Sequence, residues 1–208
     1  ICTNRRKIRR LLVRLIHVRA TTMKETDWAK QVAAKLNEEL TGYSVEAGKR
    51  LTYANEIVEY GEDNPDYNKM TYQTDILVYE SISEKSWKPR VVIETKIDSV
   101  TTHDSITYSQ KAASHKFVHP YLRYGIFLGH RGIHPLPGRL FRHGAQFDFM
   151  ISWRDYEPED YEWAALMEVV EKEINASKQL EDMIFKSRCK NREKHYVLHK
   201  PLVTKSAK

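Results

Sequence analysis

The sequence predicts an α/β fold, a β-sheet with helices on its faces, on three observations. A helical pattern opens the body of the chain and a longer one closes it. Short runs rich in Val, Ile, Leu, Tyr and Thr lie between them, and a further helical segment separates those runs. Over 23–41, Trp28, Val32, Leu36 and Leu40 recur at every fourth position, with Thr22 as a candidate N-cap, Glu25 three residues on, and Gly42 beyond the end. Residues 43–60 hold extended stretches, notably 56–60, and 61–66 is rich in turn formers. Residues 71–79 read as a strand, 80–89 as a polar connection containing Pro89, and 90–97 as a buried strand through Val91, Val92 and Ile93. A helix is expected from about 104 to 118, stopped by His119-Pro120. A strand follows at 124–129, then a Gly/Pro loop at 130–144 and another strand at 147–152. Pro158 opens a helix carrying Trp163, Leu166, Val170 and Ile174, with a break expected near Asn175 before Leu180 and Ile184.

A chain of 208 residues, 41% hydrophobic, suits one domain of roughly 150–200 residues with extra at the ends. No stretch reaches the roughly 20 consecutive apolar residues of a membrane span. The net charge of +6 conceals a division. Residues 1–22 carry +7 with no acid, and 186–208 also carry +7, so 23–185 carry −8 once both ends are set aside. Basic ends suit a polyanion, because each phosphate neutralised releases counterions; solvated tails are the equally good plain reading. The basic leader 1–22 is expected outside the fold, the domain at 23–185, and the basic tail at 186–208. Three origins fit the leader: translation upstream of Met23, a mitochondrial transit peptide, or a DNA-contacting arm. Cys2 and Cys189 support neither a disulfide framework nor a zinc site, and a reducing cytoplasm is the expected compartment, or a mitochondrion if the leader is a transit peptide.

The chemistry is expected in Val91-Val92-Ile93-Glu94-Thr95-Lys96. Side chains alternate along a strand, so Glu94 and Lys96 share one face and Thr95 takes the other. A carboxylate and an ammonium directly after a buried apolar run are costly inside a core, unless a cation and a phosphate are to be bound there. Asp75 stands 19 residues earlier, at the start of Asp75-Ile76-Leu77-Val78-Tyr79, and neighbouring strands can bring it to Glu94. Two such carboxylates offer hard oxygens to Mg²⁺ and leave positions open for water and phosphate.

With these residues, 23–129 resembles the PD-(D/E)XK nuclease superfamily, which includes type II restriction enzymes. The resemblance implies a restriction-endonuclease-like mixed β-sheet flanked by helices, with an α-β-β-β-α-β core. It implies Asp75, Glu94 and the Thr95 backbone carbonyl as ligands of Mg²⁺, for which Mn²⁺ could substitute. It also implies that Lys96 orients and helps deprotonate the attacking water. Thr74 stands where the motif name has proline. Some branches place a Gln on the helix after the motif, and here Gln110 lies on the stripe of Ile106, Ala113 and Phe117, where it should find a buried partner; Ser114 stands where those branches have Tyr. Members often add an acid from the first helix, and Glu39, bordering its apolar stripe, is the candidate, with Glu38 facing away.

Lys111 is expected to point away from the stripe of its helix, free with Arg131, Arg139 and Arg142 for nucleic acid. His115 and His119 read as surface histidines. His130 and His134 have the spacing of a zinc pair but lack a helix and a third ligand. The reading is an Mg²⁺-dependent endonuclease acting on DNA, most simply a type II restriction enzyme working as a homodimer through the helix from 158, with no nucleotide cofactor and no membrane. A structure-specific repair or recombination nuclease, and a silent nucleic-acid-binding module, are the alternatives.

Overall fold

The computed structural model describes residues 23–205, and the leader 1–22 lies outside them. Helix α1 (Glu25–Glu39) is followed by β1 (Ser44–Ala47), β2 (Arg50–Tyr60), β3 (Pro65–Gln73), β4 (Ile76–Ser83) and β5 (Ser86–Ile97). Then come α2 (Thr102–Val118), β6 (Arg123–Gly129), the short α3 (Gly138–His143), β7 (Phe149–Ser152) and α4 (Asp160–Phe185). Five strands form a mixed sheet in the order β1-β4-β5-β6-β7. β4 runs antiparallel to β1 and β5, while β5, β6 and β7 are parallel. β2 and β3 pair only with each other, as an antiparallel ribbon outside that sheet.

Alternation along the strands sends side chains to two cores. Ile76, Val78, Val91, Ile93 and Phe127 meet α1 and α4 through Trp28, Leu36, Leu166, Val170 and Ile174. Leu77, Val92, Tyr124, Ile126 and Leu128 meet α2, α3 and the base of the ribbon through Ala112, Leu140 and Leu51. The fold is therefore a mixed α/β sheet flanked by helices, as expected.

Several boundaries differ from expectation. The run 71–79 is broken at Thr74-Asp75: Thr74 bonds the Lys49 carbonyl through both its backbone N–H (3.1 Å) and its hydroxyl (2.8 Å), and the chain passes there from the ribbon into the sheet. The polar segment 80–89 is a hairpin, since β4 and β5 pair as far as Ser83 and Ser86, with an irregularity beside Pro89. The loop 130–144 contains α3, and α4 runs unbroken through Asn175 because Ile174 and Ser177 are both buried against its neighbours. The tail from 186 to 205 carries no helix or strand. Among the described residues no helix is long and apolar enough to cross a membrane.

Candidate active site

The register pairs Ile76 with Ile93, so Asp75 and Glu94, the next residues along antiparallel β4 and β5, come opposite each other at one end of the sheet. Glu94 and Lys96 share the α2 face of β5 with Val92, as alternation requires. The Asp75 carboxylate accepts from the Thr95 backbone N–H (2.7 Å) and hydroxyl (3.1 Å), both through Oδ2. Its charge bears on Glu94, Glu25, Tyr108 and Tyr124 alike, which marks these groups as one cluster.

Glu94 is 1% exposed. Its Oε1 accepts from the Lys111 ammonium (2.8 Å) and from the Tyr124 hydroxyl, while its Oε2 is buried with no hydrogen-bond partner. Burial, reinforced by the Asp75 charge and opposed by Lys111 and Tyr124, pushes the Glu94 carboxyl up to about 7. A desolvated carboxylate oxygen without a donor is costly unless something positive meets it. Lys96 Nζ lies 3.5 Å from Glu25 Oε2 and 3.9 Å from Asp104 Oδ1. Burial pulls this ammonium down, but Tyr108, Glu25 and Asp104 outweigh it and hold Lys96 above its ordinary value. Tyr108 stands beside both lysines, and burial, with the carboxylates around it, pushes its hydroxyl up to about 12.

Asp75 and Glu94 are thus brought together, with Lys96 on the Glu94 face but paired to Glu25 and Asp104, and the expectations for Gln110, Lys111, His115, His119 and Glu39 are corrected. Gln110 is exposed, because α2 buries Ser105, Ser109, Ala112 and His115 instead of the stripe through Ile106 and Phe117. Phe117 is 86% exposed. That rotation turns Lys111 inward onto Glu94 and places His115, expected at the surface, at 0% exposure under the ribbon, where both it and the partly buried His119 lie 3.2 Å from the Thr52 carbonyl. Glu39 bonds the Trp163 indole N–H (2.8 Å), away from the cluster; the α1 acid at the site is Glu25. Burial raises the Glu25 carboxyl, with Lys96 opposing.

The basic loop residues are partly committed to backbone. Arg131 bonds the carbonyls of Asp98 and Pro135, and Arg139 that of Val100 (3.0 Å), so both brace 98–101, the segment joining β5 to α2. Asp98 has a left-handed φ of +61° and pairs with His130 (2.5 Å), whose ring stacks on Tyr156. His134 closes a backbone turn onto the Arg131 carbonyl. Arg142 is exposed on the last turn of α3.

Sequence reasoning missed Glu25, Tyr108 and Tyr124. The spacing of Glu25 from Thr22 suggests a capping box, yet Lys24 is the N-cap and makes no side-chain cap; Glu25 reaches instead to the Ile97 N–H (3.4 Å) and to Lys96. Tyr124 was legible in principle, two residues before Ile126, the parallel neighbour of Glu94. Among the described residues no three His, Cys, Asp or Glu side chains converge as a metal cage. Hard carboxylate oxygens, one buried and unpartnered, fit Mg²⁺ or Mn²⁺ and not a soft metal.

No protein-family model matches the chain, and a search of curated proteins finds no match.

Proposed function

We propose that the chain is an Mg²⁺-dependent endonuclease of the PD-(D/E)XK type that hydrolyses DNA phosphodiester bonds. One observation carries the reading: adjacent strands present Asp75 and Glu94 side by side, with the buried Glu94 Oε2 unpartnered and the Lys96 ammonium on the same face. Asp75 and Glu94 would hold the ion, with the Thr95 carbonyl as a third protein oxygen. Bound there, Mg²⁺ supplies Lewis-acid stabilisation of the charge that grows on the phosphate. Lys96 stays protonated between Glu25 and Asp104, so it acts by its charge, orienting the attacking water and neutralising the phosphate oxygens, and not by taking the proton. Water attacks phosphorus and gives its proton to solvent, the P–O3′ bond breaks, and the 3′-oxygen leaves with a proton from solvent, giving a 5′-phosphate end.

Duplex cleavage needs two such sites, so the working form is a homodimer, and a type II restriction enzyme is the simplest member of this class. Incubating the protein with plasmid DNA in Mg²⁺, Mn²⁺ or chelator tests the proposal. Discrete fragments with either metal and none with chelator are expected, and Asp75→Ala or Lys96→Ala should abolish them while circular dichroism shows an intact fold. Cleavage that survives either substitution refutes the assignment. Branched substrates digested in parallel separate sequence-specific from structure-specific action.

A further inference from the structure

Lys111 is not placed like a phosphate-binding lysine. Its side chain is 18% exposed, and its ammonium lies 2.8 Å from Glu94 Oε1, between the rings of Tyr108 (5.3 Å) and Tyr72 (5.7 Å). Tyr124 donates to the same oxygen from the neighbouring strand, so Oε1 is fully engaged and only Oε2 faces the cluster without a donor. Two-metal nuclease sites hold their ions roughly 3.5–4 Å apart and need carboxylate oxygens to share between them. Here one oxygen of the central carboxylate is already committed to an ammonium, and Asp75 Oδ2 is committed to Thr95.

Charge points the same way. Four acids, Glu25, Asp75, Glu94 and Asp104, share the cluster with two ammonium groups, Lys96 and Lys111, which leaves a formal −2. A single divalent ion neutralises that charge, whereas two would leave an uncompensated +2 around the buried Glu94. We propose that Lys111 restricts this site to one divalent ion, its ammonium standing where a second would bind and fixing Glu94 so that Oε2 faces the first. Lys111 is a positioning residue in this scheme. The proposal rests on the nuclease reading for the existence of the metal site and adds the stoichiometry.

Mn²⁺ alone is the probe, counted per chain by electron paramagnetic resonance on the full-length protein. The intact protein should bind one Mn²⁺, lost in Asp75→Asn. Lys111→Gln keeps an N–H donor for Glu94 Oε1 but loses the charge, and it should take up a second Mn²⁺. Lys111→Arg keeps the charge and should retain one. Two ions in the intact protein, or one in Lys111→Gln at saturating Mn²⁺, overturns the proposal and leaves the nuclease reading standing. Ion binding that is absent, or indifferent to Asp75→Asn, sinks both. If Lys111→Gln does not fold, Lys111→Met, an uncharged side chain of similar length, takes its place, with two ions expected and one overturning the proposal.

Discussion

Under α1 and α4 the sheet is covered by Trp28, Phe127 and Trp153, whose rings pack edge-to-face or tilted at 4.6–5.9 Å, with aliphatic side chains around them. Under α2 the same strands meet Ser105, Ser109 and His115, two lysines, two tyrosines and the acids of the candidate site. Adjacent residues of β5 serve the two sides: Ile93 and Thr95 face the apolar layer, Glu94 and Lys96 the more polar one. A strand lets stability and chemistry be assigned to alternate positions, and the small residues of α2 leave room for charged side chains between helix and sheet. The two faces should therefore respond oppositely to substitution. Removing bulk from the first costs stability, and removing charge from the second costs function.

The largest effect on folding is expected at Phe127, which is fully buried between two tryptophans. Phe127→Ala should destabilise by about 3–5 kcal/mol, from lost transfer energy plus the cavity left behind. Urea unfolding measures it. Lys96→Ala, by contrast, removes a 22%-exposed side chain whose ion pairs span 3.5–3.9 Å and should cost no more than about 1 kcal/mol while abolishing cleavage. A Lys96 variant as unstable as the Phe127 variant would show that the division between faces is wrong.

His115 tests how far burial reaches on the polar side. Burial, opposed by its bond to the Thr52 carbonyl and aided by His119 and Lys111, holds its imidazole down to about 4 against the ordinary 6.5. Between these values the unfolded chain binds the proton and the folded one does not, so stability falls as pH drops from 6.5 towards 4 and is unaffected above 7. The accumulated loss by pH 4 is about 3 kcal/mol. Urea midpoints at a series of pH values should show the slope, and His115→Gln should flatten it. An unchanged slope in that variant would assign the acid sensitivity to other groups.

How much of this was legible depended on whether one surface or two decide a residue's orientation. The β5 motif was readable because alternation is a local rule, and a buried apolar run fixes its phase. Helix α2 was misread for a physical reason: its apolar residues Ile106 and Phe117 face out, and its buried stripe is Ser, Ser, Ala and His. Hydrophobic periodicity misleads where a helix buries small and polar residues, as α2 does with only Ala112 of its buried residues reaching the apolar cluster while Ser105, Ser109 and His115 fill the rest of its buried stripe. The break at Thr74-Asp75 was hidden similarly, since a strand that leaves one sheet for another keeps its composition. Glu25 was obscured because a capping acid and a site acid occupy the same sequence position.

Smaller effects follow where the backbone itself makes the packing. A Cβ added at Gly125 would sit 2.3 Å from the Phe149 ring, which is 9% exposed and cannot retreat freely. Gly125→Ala should cost about 1–3 kcal/mol, less than Phe127→Ala because β7, the last strand in the order, can shift where the sheet centre cannot. A thermal midpoint matching that of the unaltered protein would mean that the β6–β7 edge yields more than this contact suggests.

The ribbon sets the lower limit of the scale. Ile57 is 50% and Tyr67 50% exposed, and the two are cross-strand partners outside both cores, with the Lys69 ammonium over the Tyr67 ring. Ile57→Thr should change stability by no more than about 0.5 kcal/mol, since a β-branched residue is kept and little apolar area was buried. Its distal part carries Glu56, Glu59, Glu62, Asp63 and Asp66 without a basic residue between them, so phosphate would be repelled from that end. If the proposed cleavage of DNA is right, the duplex should avoid this end of the ribbon. Reversing two of those acids, as Glu59→Lys with Glu62→Lys, should then leave the dependence of DNA affinity on salt almost unchanged, whereas a steeper dependence would place DNA on the ribbon after all.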